Sequence, residues 1–220
     1  MEREIDLKEI SDGRLYGMND MVKAGCGECA GCSACCQGMG NSIILDPYDM
    51  HELETGLGTT FEKLMENRIE LHVVDGIIRP NLSMQGEKER CVFLNGEGRC
   101  SIHTFRPGFC RMFPLGRIYE ENDFQYFLQV HECTYPNKTK VKVKKWLGIP
   151  EINKYEAYIK AWHFFLKDAS KIVKETQNDA IIKNLNMYLL NQFYVKPYED
   201  FYGQFYERLE EARKVVKLYR

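Results

Sequence analysis

Residues 26–36 read CGECAGCSACC, which sets Cys26, Cys29, Cys32 and Cys35 at successive C-x2-C steps with Cys36 directly after. Two intervening residues let neighbouring thiolates turn toward one metal, and the small Gly, Ala and Ser side chains leave backbone amides free to donate to sulfur. A ferredoxin-like cluster loop has similar spacing, with three ligands from the run and a distant cysteine as the fourth. Zinc sites more usually pair one C-x2-C with a second pair far away. The vicinal Cys35 and Cys36 point to opposite sides of an extended chain, so they suit two neighbouring sites or two irons of one larger cluster.

Outward from this run, Cys91, Cys100, Cys110 and Cys133 supply four more thiols, each near a predicted turn or strand end. The pattern gives two four-ligand sets, or one set plus structural and redox thiols. All nine cysteines lie between Cys26 and Cys133, and the last 87 residues have none. A chain of 220 residues, 44% hydrophobic and 28% charged, has the composition of an ordinary globular protein and is long enough to bury a core without staples. Nine cysteines fall well below the level of about 8 to 10% that marks disulfide scaffolds, and an odd count excludes complete pairing. The opening residues show no signal-peptide pattern, and no stretch approaches the roughly 18 to 20 apolar residues of a membrane span. The expectation is a cytoplasmic protein with reduced thiols, in which clustered cysteines bind metal or do redox chemistry.

The fold class expected is α+β, a cysteine-rich metal-binding module with short helices and β-hairpins over residues 1–148, followed by a helical C-terminal region over 149–220 packed on it. The stretch up to about Gly40 reads as a loop shaped by what the cysteines hold. Asp46 as N-cap, Pro47 at the first helical position and Gly56 as a stop predict a short helix, and Thr59-x-x-Glu62 predicts a capping box opening a second. Hairpins are expected around Asp75-Gly76, within CVFLNGEGRCSI, and at Glu121-Asn122. Beyond Pro150, apolar spacing predicts three helices, about Ile152–Thr176, Asp179–Val195 and, started by Pro197, Tyr198–Tyr219.

Net charge is −2, but residues 1–90 hold 9 Lys and Arg against 17 Asp and Glu, and residues 91–220 hold 21 against 15. Nothing global points to nucleic acid or a membrane. That leaves an unidentified protein substrate or electron-transfer partner. The alternating Lys138, Lys140, Lys142 and Lys144 read as a strand edge protected by lysine rather than an anion-binding patch. His51, His72 and His163 lack partner spacing and read as structural. Arg106 and Arg111 flank Cys110, where they would either offset the charge of a thiolate-rich cofactor or bind neighbouring carbonyls. The aromatic run from Met187 to Tyr206 reads as core packing rather than a substrate groove. No phosphate loop, nucleophile elbow or H-E-x-x-H is present.

The N-terminal cluster, CVFLNGEGRCSIHTFRPGFCRMFP and the final HEC together resemble the CxxCxxCC family, described as zinc- or iron-chelating proteins and often called Fe-S oxidoreductases. The resemblance spans about Cys26 to Cys133 and includes the RP-x2-CR-x-FP segment of Arg106, Pro107, Cys110, Arg111, Phe113 and Pro114. It implies eight ligands, Cys29, Cys32, Cys35, Cys36, Cys91, Cys100, Cys110 and Cys133, with Cys26 supernumerary and dispensable. His103 stands where the family commonly has tyrosine. That leaves a nitrogen ligand open there, against a hydrogen-bonded histidine. His131, two residues before Cys133, would share its side in a strand. A distantly similar branch methylates flagellin lysines using S-adenosylmethionine and a 4Fe-4S cluster, so the resemblance also implies a lysine N-methyltransferase-like activity.

Three features favour an iron-sulfur cofactor, one or two 4Fe-4S clusters, over zinc. The C-x2-C-x2-C run is richer than a zinc knuckle needs, the chain is large enough to fold without a metal staple, and the vicinal cysteines suit a multinuclear site. The alternative is a zinc-stabilised interaction or metal-delivery module without catalysis.

Overall fold

The computed structural model describes residues 6–27 and 32–219. A single helical turn, α1 (Leu7–Ile10), leads into β1 (Ser11–Tyr16) and β2 (Met21–Gly25). These strands replace the loop expected at this end. They are short and their partners are distant: β1 pairs with the far hairpin of β7 (Leu115–Glu120) and β8 (Asp123–Gln129), and β2 pairs with β9 (Thr139–Lys142). The β7–β8 hairpin turns at Glu121-Asn122, as its sequence indicates.

Helix α2 (Pro47–Leu57) opens on a full capping box, in which the Asp46 side chain accepts from the Asp49 amide at 2.9 Å and Asp49 returns the bond to the Asp46 amide at 3.0 Å. The helix does not stop at Gly56. It runs to Leu57 and closes on the left-handed Gly58, because Gly56 is glycine for another reason: a Cβ there would strike the Phe105 ring. Helix α3 (Phe61–Met65) is capped by Thr60 rather than Thr59, with no side-chain cap bond, and its frame is set by burial of Phe61 and Leu64.

β3 (Ile69–Val74) and β4 (Ile77–Leu82) form the expected hairpin, with Asp75 and Gly76 both at positive φ (53° and 85°), as the tight primed turn requires. CVFLNGEGRCSI forms only a minimal antiparallel turn: Leu94 bridges Cys100, the Ser101 amide donates to the Phe93 carbonyl at 2.8 Å and the Asn95 amide to the Arg99 carbonyl at 2.9 Å, while β6 (Arg90–Cys91) pairs backward with β5 (Met84–Gln85). The Asn95 side chain closes this turn by accepting from the amides of Glu97 and Arg99 at 3.1 and 2.8 Å, a local alternative to a strand ladder.

Short helices α4 (Gly108–Met112) and α5 (Val143–Leu147) precede the helical half, α6 (Ile152–Glu175), α7 (Asp179–Leu190) and α8 (Phe201–Leu218). The last turn of the predicted middle helix is a π-helical turn, Asn191–Val195. Pro197 does not start the last helix. Arg208 donates to the carbonyls of Gln192, Lys196 and Pro197 at 2.9, 2.7 and 2.6 Å, which holds that link extended until Asp200 caps α8.

One continuous apolar core runs through both halves, from Tyr16 and Val22 through Leu45, Leu82 and Leu115 to Val216. Along α6 the buried Tyr155, Tyr158, Ile159, Trp162, Phe165 and Ala169 recur at helical spacing, and each large side chain contributes about 1.5 to 3 kcal/mol by leaving water. Phe193, Tyr194, Tyr198, Phe201 and Phe205 are buried in the same core, so most of the C-terminal aromatic run packs rather than lining a groove. Among the described residues, no helix is long and apolar enough to cross a membrane. Lys140 and Lys142 stand exposed along β9, the arrangement of a lysine-protected edge.

Candidate metal centre

Four chain segments converge beneath the helical half. The first is the 3-10 turn Ala34–Cys36, which presents Cys35 and Cys36. Because this turn is tight rather than extended, the adjacent thiols share a hydrogen bond instead of pointing apart. Just after it, Gln37 bridges to Arg90, and the Gly38 amide donates to the carbonyls of Lys88 and Glu89 at 3.3 and 3.1 Å. The cysteine loop is thereby sewn to the strand that ends in buried Cys91. The Asn95 turn brings Cys100 back alongside.

Cys110 sits on α4, which is held from below and from the side. The Asp49 carboxylate accepts from the Gly108 amide at 2.7 Å. Arg111 donates to the carbonyls of Thr104, Arg106 and Gly148 at 2.5, 2.9 and 3.4 Å, which is the carbonyl-binding alternative for that residue. The Trp146 indole N–H is shared between the Met112 and Phe113 carbonyls, each at 3.2 Å.

These segments enclose a cavity of about 60 Å³ lined by Cys32, Cys35, Cys36, Cys91, Cys100 and Cys110, together with Arg99, His103, Arg106, Phe113 and Trp146. A second, smaller cavity of about 20 Å³ lies beside it, lined by Cys26, Cys32, Cys35, Glu132 and Cys133, with Phe113 and Trp146 again in the wall. A water needs roughly 10 to 15 Å³ of such space. The first cavity therefore holds several atoms, the second about one. Among the described residues no three His, Cys, Asp or Glu side chains already stand close enough to grip one ion, so the thiols line these spaces without yet closing on a point.

Of the eight ligands the sequence suggests, six line the larger cavity and Cys133 the smaller, while Cys29 lies outside the described residues. Cys26, expected to be spare, is 3% exposed and lines the smaller cavity. His103 lines the larger one and contacts the Arg106 guanidinium. His131 and Cys133 lie in the turn beyond β8 rather than in a strand, and His131 is exposed and lines neither cavity. Arg99, Phe113, Trp146 and Asp49 belong to the site and were not singled out as such in the sequence. The only signal for Asp49 was its spacing three residues after the N-cap.

Six thiols around one cavity repel each other as they ionise. The hydrogen bond from Cys36 draws Cys35 down to about 7, helped by the nearby Arg106 charge, while the same bond and burial push Cys36 up. Burial raises Cys91, Cys100 and, most strongly, Cys110, whose neighbours Cys91, Cys35 and Cys100 raise it further. A metal reverses this balance, because coordinated thiols are deprotonated outright. A donor set of soft sulfur ligands fits zinc or iron-sulfur groups and not hard cations such as magnesium or calcium.

No curated protein and no solved structure matches the chain significantly. The family model CxxCxxCC, described as "Putative zinc- or iron-chelating domain", matches residues 28–140, just over half the chain and every cysteine but Cys26. Thiols gathered from these segments around a shared interior space are what such chelation requires, and the chain belongs to the CxxCxxCC family of zinc- or iron-chelating domains.

Proposed function

We propose that the larger cavity holds an iron-sulfur cluster and that the protein uses it in electron transfer. The observation that carries this reading is the enclosure of one space of about 60 Å³ by Cys32, Cys35, Cys36, Cys91, Cys100 and Cys110, more thiols than a single tetrahedral ion accepts and more room than it fills. When bound, such a cluster supplies a one-electron couple whose potential follows from charge, hydrogen bonding and exposure.

The chain's own residues have separable tasks. Cys36, Cys91, Cys100 and Cys110 come from four separate segments and would supply one thiolate for each iron, with Cys32 and Cys35 on the same wall. Arg99 and Arg106 place positive charge on the cavity wall, which offsets the thiolates and favours an added electron. Ile43, Leu82, Ile102 and Pro107 supply an apolar lining that limits water.

Anaerobic purification tests the reading. The protein should be coloured and contain iron and acid-labile sulfide, and Cys91→Ser and Cys110→Ser should lose both. Colourless wild-type protein holding only zinc would overturn the proposal and leave the zinc-stabilised or metal-delivery module.

A further inference from the structure

The β2–β9 sheet carries a charge pattern that the metal centre does not use. Between Asn137 and Trp146 the chain holds five lysines and no acidic residue, in a protein whose net charge is −2. On β2 the buried Val22 and Ala24 alternate with the exposed Met21 and Lys23, and on β9 Lys140 and Lys142 stand exposed on either side of Val141. The register pairs Met21 with Lys142 and Val22 with Val141, so Met21, Lys23, Lys140 and Lys142 share the outward face. The Val22–Val141 and Gly25–Thr139 pairs leave Lys23 beside Lys140. Exposed Lys144 and Lys145 extend the face onto α5. Lys138 stands apart, since its ammonium donates to the Cys133 carbonyl at 2.5 Å. Lys23, Lys140, Lys142, Lys144 and Lys145 form no ion pair with a carboxylate among the described residues. Asp20, just before β2, is engaged by the Gly17 amide at 2.7 Å.

Like charges set side by side across a strand pair cost stability. Edge protection accounts for lysine on β9, but not for Lys23 on the other strand or for Lys144 and Lys145 beyond the sheet. The face also adjoins the metal centre. Trp146, directly after Lys144 and Lys145, stands in the wall of both cavities, and the Met112 and Phe113 carbonyls hold its indole N–H. One five-residue helix thus reaches solvent with its lysines and the cysteine-lined space with its tryptophan.

We infer that the lysine face of β2, β9 and α5 is the docking surface for an acidic protein that exchanges electrons with the group in the larger cavity, an inference that rests on the electron-transfer reading above. Charge complementarity chooses the partner, because an unrelieved patch of one sign steers an oppositely charged protein and raises its on-rate. A face of six residues fits the small, short-lived interfaces of redox pairs. It includes no arginine and no aromatic ring, the groups that fork onto phosphates and stack on bases. Its one exposed apolar side chain, Met21, gives a lipid surface little to bury. One electron leaves the partner's reduced centre and enters the cluster, and no bond is made or broken.

An acidic 2Fe-2S ferredoxin, fluorescently labelled and titrated with the full chain, is the probe. At low salt, Lys140→Glu combined with Lys142→Glu should weaken binding at least about tenfold. Near 1 M salt, where the Debye length falls to about 3 Å, wild type and variant should bind alike. Lys214→Glu combined with Lys217→Glu, the same charge change on exposed lysines of α8, should bind as wild type does. Thermal unfolding of the β9 variant should be unchanged or raised, because a glutamate beside Lys23 relieves a like-charge contact. If the β9 variant binds as wild type does, or the α8 variant loses as much, there is no docking face. Tighter binding of a labelled DNA oligomer or of anionic phospholipid vesicles, lost in the same β9 variant, would also overturn the inference. Binding is read without electron flow, so the two readings fail separately. Colourless, zinc-only protein would end the electron exchange and leave the lysine-dependent docking, whereas iron-containing protein indifferent to Lys140 and Lys142 would sink the docking face alone.

Discussion

The Asp49 carboxylate accepts the Gly108 amide across 59 positions of sequence, so a helix that carries no cysteine is the footing for the turn that carries Cys110. Asp49 also caps α2 by accepting from the Asp46 amide. Replacing it by alanine leaves two buried amides unpaired, at about 1 to 3 kcal/mol each. Asp49→Ala should lower the urea midpoint by the equivalent of about 2 to 4 kcal/mol and weaken metal retention.

Gly108 is pressed from the other side by the Tyr155 hydroxyl, on a ring that is fully buried. Gly108→Ala forces a methyl group into that contact, and overpacking of this kind costs about 1 to 3 kcal/mol. Thermal unfolding should register the loss, with Gly56→Ala, set against the Phe105 ring, behaving similarly.

Arg106 and Arg111 should separate cleanly on substitution. Arg111→Ala removes bonds to three carbonyls and should destabilise the fold by about 2 to 4 kcal/mol. Arg106→Gln removes positive charge from the cavity wall, so the reduced, more negative state of a cluster is disfavoured. Redox titration should find its midpoint shifted to more negative potential at unchanged iron content.

Glu54 carries a pH dependence independent of metal. Burial pushes its carboxyl from 4.5 up to about 7. Between those values the folded chain keeps a proton the unfolded chain has released, so this contribution to stability falls as pH rises through the window. Glu54→Gln should be more stable than wild type at pH 8, by about 1 kcal/mol once solvent screening of a half-buried group is allowed for. At pH 4 the two should unfold alike.

Asn186 joins the helical half to the β3–β4 hairpin, accepting from the Ile78 amide at 2.6 Å and donating to the Gly76 carbonyl at 3.1 Å. Asn186→Leu strands both groups in a buried position, and a loss of about 2 to 4 kcal/mol is expected in denaturant titration. Hydrogen exchange should show the hairpin amides opening first.

The Asp75-Gly76 and Glu121-Asn122 hairpins and the Asp46 cap could be read directly because their signals are local. The strands β1 and β2 could not, since SDGRLY and MVKAG bury little by themselves and gain their ladders from residues more than a hundred positions away. Gly56 misled for a related reason: a glycine that admits an aromatic ring looks in sequence like one that ends a helix. Within the site, cysteine spacing identified the donors. How those donors divide between two cavities depends on the β2–β9 pairing, and local spacing carries no trace of it.

Trp146 stands in the wall of both cavities, with its indole N–H tied to the backbone of the Cys110 turn. The chain's other tryptophan, Trp162, is sealed in the helical core at 3% exposure. The protein therefore contains its own optical gauge. Fluorescence from Trp146 should be quenched as iron enters and restored as a chelator withdraws it, while Trp162 supplies a steady reference, so loading can be followed in real time without any label.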